Sequence, residues 1–333
     1  MPTSNATRRG AEGAKGEGRL AARSEHRILI TGGTGFVGSF LIDRLESDEG
    51  RGCGIVAPGL GEAPGIDICD ADAVDRLVRD ARPTAVVHLA AVAAPAEAAS
   101  APGRAWDVNL TGTRNLATAV LQHAPDARFV YAGSSDAYGA SFIDTERPLP
   151  ETTALQPMNV YAATKAAADV MIGQMAYGGL NAVRFRPFNH TGPGQSDAYV
   201  VPSFARQVAR IAAGRADPVV RVGNLDVERD FLDVRDVVRA YAVAALGGLP
   251  RQPGLVFNLA TGRPASLRHM LDTLIALAGV DVAVEVDPAR VRPADIPRTW
   301  GDAERARRQL GWSPSIPLEE TLGDVLAYWM NEP

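Results

Sequence analysis

Tyr161 and Lys165 stand four residues apart in Asn159-Val160-Tyr161-Ala162-Ala163-Thr164-Lys165. An alanine-rich helix continuing to about Tyr177 would place both on one face. An unperturbed phenol titrates near ~10, too high for acid–base work at neutral pH. A nearby ammonium favours the phenolate and lowers that value. Ser134, at the end of the preceding β-rich run Arg128-Phe129-Val130-Tyr131-Ala132, can hydrogen-bond the same substrate oxygen. The three together make a proton-transfer site. A Tyr–Lys pair at this spacing also arises by chance on helix surfaces, so the reading depends on what stands upstream.

Upstream is a glycine loop. His26-Arg27-Ile28-Leu29-Ile30-Thr31 ends in Gly32-Gly33-Thr34-Gly35-Phe36-Val37-Gly38, and an amphipathic helix with Phe40, Leu41, Ile42 and Leu45 follows. Gly32, Gly35 and Gly38 permit a tight turn and close approach of backbone to a pyrophosphate, while the helix N-terminus offers N–H donors. A dinucleotide bound there brings a hydride donor to Tyr161. The second strand, Ile55-Val56-Ala57, ends in Pro58-Gly59, with neither a carboxylate for the adenosine ribose hydroxyls nor an arginine for a 2′-phosphate. Arg51 lies before it and Glu62 after it. The missing acid removes one obstacle to a 2′-phosphate, so NADPH is expected over NADH. Asp67-Ile68 is read as a short third strand within reach of the adenine.

These groups need a scaffold. Thr84-Ala85-Val86-Val87-His88-Leu89-Ala90 is a nearly continuous apolar run, as in a parallel sheet covered on both faces. The β-then-α rhythm predicts an α/β fold with a doubly wound parallel sheet of Rossmann type. At ~150 residues per domain, 333 residues suggest two domains. Lys and Arg number 34 against 39 Asp and Glu, a net charge of −5 that favours neither nucleic acid nor membrane as partner. No apolar run reaches the ~20 residues that span a bilayer. Residues 1–24 lack the apolar core of a signal peptide and read as a disordered tail. With only Cys53 and Cys69, a disulfide framework is not expected, and a cytoplasmic location fits. The five histidines show no ligand spacing, so no metal is expected.

The chain resembles the extended short-chain dehydrogenases/reductases that act on nucleotide sugars. The resemblance runs over about residues 26–330 and rests on Thr31-Gly32-Gly33-Thr34-Gly35-Phe36-Val37-Gly38, His88-Leu89-Ala90-Ala91, Asn109, Ser134, Tyr161, Lys165 and Arg186-Pro187. It implies a nucleotide-binding domain with a smaller α/β substrate domain, here 25–190 plus 231–260 and 191–230 plus 261–333. It implies cofactor contacts at Gly32, Thr34, Gly35, Phe36, Val37, Gly38, Asp67, Ile68, Leu89, Ala90, Ala91, Asn109, Tyr161, Lys165 and Pro187. Members often dimerise through two helices, here around 104–123 and 157–177, so a homodimer is expected.

Several reactions share this machinery. Dehydratases of the family carry a glutamate before a Tyr-Gly pair to remove the C5 proton. Here Ser134-Ser135-Asp136-Ala137-Tyr138-Gly139 puts Asp136 in that place, one methylene shorter. Catalytic geometry tolerates ~1 Å errors poorly, which disfavours dehydration. A 4-ketoreductase needs no such base. Arg186-Pro187-Phe188-Asn189-His190-Thr191-Gly192-Pro193-Gly194-Gln195 looks closest to the GDP-mannose-derived branch, most like GDP-4-keto-6-deoxy-mannose reductases. That likeness implies substrate contacts at Ser135, Asn189, Val201, Asn224, Arg229, Arg292 and Asp295, with Arg229 and Arg292 forking onto the diphosphate. The expected reaction is NAD(P)H-dependent reduction of the C4 ketone of a GDP-4-keto-6-deoxy-hexose to GDP-rhamnose or GDP-6-deoxy-talose. The alternatives are a 4,6-dehydratase or C4 epimerase with retained NAD and, remotely, an inactive sugar-nucleotide-binding protein.

Overall fold

The computed structural model describes residues 26–47, 52–59, 61, 64–143, 145–247, 249–291 and 296–332. Arg51, Glu62, Arg292, Asp295 and the tail at 1–24 lie outside them. In chain order the elements are β1 (Arg27–Thr31), α1 (Phe36–Glu46), β2 (Gly54–Val56), α2 (Ala71–Ala81), β3 (Ala85–His88), α3 (Pro95–Ser100), α4 (Pro102–Trp106), α5 (Thr113–His123), β4 (Arg128–Ala132), α6 (Val160–Tyr177), β5 (Ala182–Pro187), β6 (Asn189–Thr191), α7 (Val200–Ala212), β7 (Val219–Val222), β8 (Glu228–Asp233), α8 (Val234–Leu246), β9 (Val256–Leu259), β10 (Pro264–Ser266), α9 (Leu267–Ala278), β11 (Ala283–Val286), β12 (Arg298–Thr299) and α10 (Leu318–Asn331).

Strands β2, β1, β3, β4, β5 and β9 pair in that order, every pair parallel. All four residues of β3 are buried, because helices cover both faces of the sheet. On one face Leu41 and Ile42 of α1 and Val237 and Tyr241 of α8 pack with Ile28 and Ile30. On the other, Val74 of α2, Leu116 of α5 and Ile172 of α6 pack with Leu29 and Val86. The chain moves outward from β1 to β2, then crosses back to β3. The crevice at the carboxyl ends of β1 and β3 is therefore the topological switch point where such sheets bind ligands.

A separate core gathers α7, β7, α9 and α10, with Phe204, Val208, Val220, Leu271, Leu274 and Leu322. Ser266 caps α9 by accepting from the His269 N–H at 3.1 Å, as its place before an apolar helix suggests.

Three expectations are corrected. Asp67-Ile68 is not a strand: the Asp67 carboxylate accepts from the Cys69 N–H at 2.9 Å in a turn, and Ile68 is buried against the helical layer. The helix expected at 104–123 is present but not regular: α4, a π-helical turn at Asp107–Gly112 and α5 follow one another with helical backbone throughout. Nor does the segment after residue 261 stay with the second core, since Ala303, Ala306, Leu310 and Trp312 return to the first. Trp312 is held there by donating its indole N–H to the Asp236 carbonyl at 2.8 Å.

Candidate active site

The glycine loop is folded under the N-terminus of α1. Gly32 has φ +74, and a Cβ there would lie 2.7 Å from the Ala90 nitrogen. A Cβ on Gly38 would lie 2.3 Å from the Gly32 carbonyl oxygen and 2.6 Å from that of Gly33. No side chain caps α1, because its N-cap is Gly35, so the N–H groups of its first turn are left to a ligand. Thr34 and Gly35 are exposed, Phe36 and Val37 half-buried. Leu89, Ala90 and Ala91 follow β3 beside the loop, all half-buried. This cradle fits a dinucleotide pyrophosphate. Ala57 follows β2 beneath it, its Cβ 2.9 Å from where a Gly33 Cβ would stand.

Ser134 follows β4 and begins the 3-10-helical segment Ser135–Phe142, kinked at Gly139, by accepting from the Asp136 N–H at 3.1 Å. Asn159 caps α6, accepting from the Ala162 N–H at 2.8 Å, and so sets the phase that brings Tyr161 to Ser134. Their side chains share a hydrogen bond. Burial, then the Asp136 carboxylate, pushes the Tyr161 hydroxyl above the ordinary phenol value, against the lowering effect of Ser134. Lys165 does not produce the expected depression. Its Nζ donates to the Ala132 carbonyl at 2.6 Å and lies 5.1 Å from the Tyr131 ring centroid. Burial lowers Lys165 to about 8. Tyr161 is thus held as the neutral acid, the form that can give a proton.

A buried polar chain joins the two halves of the site. Thr113 donates to the Asn109 carbonyl at 2.7 Å, so it accepts from the Nε2–H of His88 at 2.8 Å. The other His88 nitrogen, Nδ1, then accepts from the Thr31 hydroxyl at 2.6 Å. The Asn109 amide brackets Val92, accepting from its N–H at 2.8 Å and donating to its carbonyl at 3.1 Å, and donates to Thr164 at 2.9 Å. Thr164 donates to the Tyr161 carbonyl at 2.8 Å. Asn109 was expected as a cofactor contact. Its side chain is instead spent inside the protein, and it positions the Tyr161 helix from a π-turn, a distortion frequent at functional sites. The sequence reading missed Thr31, Thr113 and Thr164. The available signal was His88, a polar residue ending a wholly apolar strand.

Burial, helped by Lys165, lowers His88 to about 3. The unfolded chain takes up this proton near pH 6.5 and the folded chain does not, so His88 favours folding above pH 6.5 and opposes it as pH falls. At about 1.4 kcal/mol per unit, urea unfolding should show the native protein losing about 2 kcal/mol more than His88→Asn between pH 7.5 and 5. Equal losses would show that His88 is charged in the fold.

The substrate-side residues are dispersed more widely. Ser135 and Pro187 are buried, and Asn189 is exposed on β6. Val201 is fully buried, because the apolar face of α7 turns it into the second core; its expected contact through the side chain is not available. Asn224 is exposed and accepts from the Asp226 N–H at 3.0 Å. Its neighbour Gly223 abuts the backbone of Arg290, 2.5 Å from the position of a Cβ. Arg229 donates from Nη1 to the carbonyls of Glu228 and Ile296 at 2.9 and 2.8 Å.

A parallel sheet with a glycine loop after its first strand, and Ser134, Tyr161 and Lys165 near the carboxyl ends of its strands, defines an extended short-chain dehydrogenase/reductase. The family model for GDP-mannose 4,6 dehydratase matches residues 63–325. A GDP-6-deoxy-D-mannose reductase of Pseudomonas aeruginosa is 34% identical over 304 residues, 91% of this chain and 97% of that protein. The solved structure of RMD from Pseudomonas aeruginosa complexed with NADPH aligns with TM-score 0.83 and 33% identity, covering 92% of this chain and 99% of that one. A UDP-glucose 4-epimerase of Thermus thermophilus in complex with NAD aligns with TM-score 0.78 and 28% identity, covering 92% and 99%. The chain belongs to the GDP-mannose 4,6-dehydratase family.

Proposed function

We propose that this protein reduces the C4 ketone of a GDP-4-keto-6-deoxy-hexose, giving GDP-rhamnose or GDP-6-deoxy-talose. The observation that carries the reading is the buried Tyr161 hydroxyl beside Ser134, held above the ordinary phenol value, with an aspartate at position 136. Bound NADPH supplies the hydride. Tyr161 gives its proton to the C4 oxygen as charge develops there, and Ser134 donates to the same oxygen. Lys165, held by the Ala132 carbonyl, supplies positive charge at the end of β4. The carboxylate of Asp136 opposes ionisation of Tyr161, so the acid is kept ready for reduction. Gly32, Gly35, Gly38, Thr34 and the residues after β3 hold the cofactor, and Arg229 with Arg292 grips the diphosphate.

NADPH is preferred because Pro58-Gly59 offers no carboxylate against a 2′-phosphate, and RMD of Pseudomonas aeruginosa was solved with NADPH. The test is oxidation of NADPH and of NADH with GDP-4-keto-6-deoxy-mannose, side by side. Faster turnover with NADPH supports both assignments. A second reading, dehydration, has one observation in its favour: a carboxylate, Asp136, stands at the base position. Conversion of GDP-mannose to its 4-keto-6-deoxy product by protein carrying retained NAD would establish it.

The protein acts as a cytoplasmic homodimer. No helix among the described residues is long and apolar enough to cross a membrane. The outer face of α6 leaves Val170 61% and Tyr177 78% exposed, beside an apolar depression formed by Leu110, Leu155, Ala167 and Met171. Such a face belongs against another protein surface. Val170→Glu should shift sedimentation from dimer to monomer; an unchanged dimer would place the interface elsewhere.

A further inference from the structure

Asp169 lies on α6 one turn beyond Lys165, where alanine and other apolar residues otherwise dominate, and it is 1% exposed. A buried carboxylate in such a helix requires partners. Its Oδ1 accepts from Arg184 at 2.7 Å and from Arg186 Nη2 at 2.9 Å, and its Oδ2 from Arg186 Nε at 3.0 Å. Both arginines come from β5. The remaining Arg186 nitrogen donates to the Tyr138 hydroxyl and to the Glu151 carbonyl, each at 3.0 Å. Tyr138 in turn donates to Asn258 at 2.8 Å. On its other side the Asp169 carboxylate packs beside Gly133, with Oδ2 3.6 Å from where a Cβ would stand. Gly133 joins Ala132, whose carbonyl holds Lys165, to Ser134.

The geometry points to Asp169 as the positioning residue of the catalytic site: one buried carboxylate, a single helical turn from Lys165, packs beside Gly133 and anchors Arg186 to the Tyr138 loop. The inference rests on the reductase reading only for its kinetic readout.

The other groups around Lys165 do not compete for this role. His88 of β3 stays neutral down to about pH 3. Tyr131 of β4, Tyr161 of α6 and Tyr241 of α8 are all pushed above the ordinary phenol value by burial. Asp169 raises Lys165 against the lowering effect of burial, and Arg184 and Arg186 are ion-paired to that same carboxylate. The sign follows from Coulomb's law. Removing the carboxylate lets Lys165 lose its proton at lower pH. Removing Arg184, the more accessible of the two cations, strengthens the hold of Asp169 on the proton.

The experiment measures the titration of Lys165 in the full-length protein by competitive acetylation with acetic anhydride across pH 6–10, read by peptide mass spectrometry. Alongside it runs the alkaline limb of kcat for ketone reduction. Asp169→Asn should lower both midpoints by about half a pH unit or more, and Arg184→Gln should raise both. Asp169→Glu, which keeps the charge, should restore the Lys165 midpoint while kcat stays low because the longer side chain displaces Gly133. Where Asp169→Asn does not fold, the upward shift in Arg184→Gln decides alone. A Lys165 midpoint unchanged in either folded variant, or moved the same way in both, overturns the inference. Native acetylation behaviour as expected, without ketone reduction by the native enzyme, would leave Asp169 in place and reject the reductase reading.

Discussion

Tyr161→Phe should lower turnover at least about 100-fold, the scale of positioned acid–base catalysis. The substitution removes one oxygen, and with it both the proton donor and the hydrogen bond to Ser134. It leaves the ring in place among its neighbours, so the fold and the helix phase set by Asn159 are retained. The loss should fall on kcat, with NADPH binding unchanged, because the hydroxyl matters most as charge develops on the C4 oxygen. Single-turnover kinetics with fluorescence titration of NADPH separates the two. Turnover within a few-fold of native would remove Tyr161 from the proton-transfer step.

The second large effect is expected at Gly38. An alanine there would place its Cβ 2.3 and 2.6 Å from two backbone carbonyl oxygens of the loop, and neither can rotate away. Either α1 tilts or the loop opens, at an overpacking cost of about 1–3 kcal/mol. NADPH affinity should fall about 10- to 100-fold. Gly35→Ala is the contrasting case: its nearest neighbour within the protein is the Gly32 carbonyl at 3.3 Å, which asks for only a small adjustment. Weak binding in Gly35→Ala with full thermal stability would report crowding of the ligand itself. Native NADPH affinity in Gly38→Ala would show that the cofactor is held elsewhere.

Much of this architecture is legible in the chain because local signals agree with tertiary ones. The apolar run at Ala85–His88 fits a strand covered on both faces, and Ser266 before a helical repeat fits a cap. The glycine loop is legible for the same reason: its residue types answer a steric demand that acts over a few positions. What stayed hidden depends on partners distant in sequence. Asn109 reads as a ligand residue until Val92 and Thr164 are seen to consume its amide. Asp169 reads as one acid in a helix until Arg184 and Arg186 arrive from the next strand. Val201 shares its face with Phe204, Ala205 and Val208, a periodicity visible beforehand that pointed to core. Lys165 is the subtler case. Four-residue spacing puts it on the face of Tyr161, yet its ammonium is drawn to the end of β4, and only three-dimensional packing decides that.

The central claim is hydride delivery to C4 of a GDP-linked ketone with a proton from Tyr161. The most direct test supplies NADPH deuterated at the transferring position of its nicotinamide, together with GDP-4-keto-6-deoxy-mannose, and reads the product by NMR. The account predicts one deuterium at C4 of GDP-rhamnose or GDP-6-deoxy-talose, formed in step with NADPH consumption. No deuterium at C4, with GDP-mannose instead converted to its 4-keto-6-deoxy form by protein that keeps its own NAD, would contradict it.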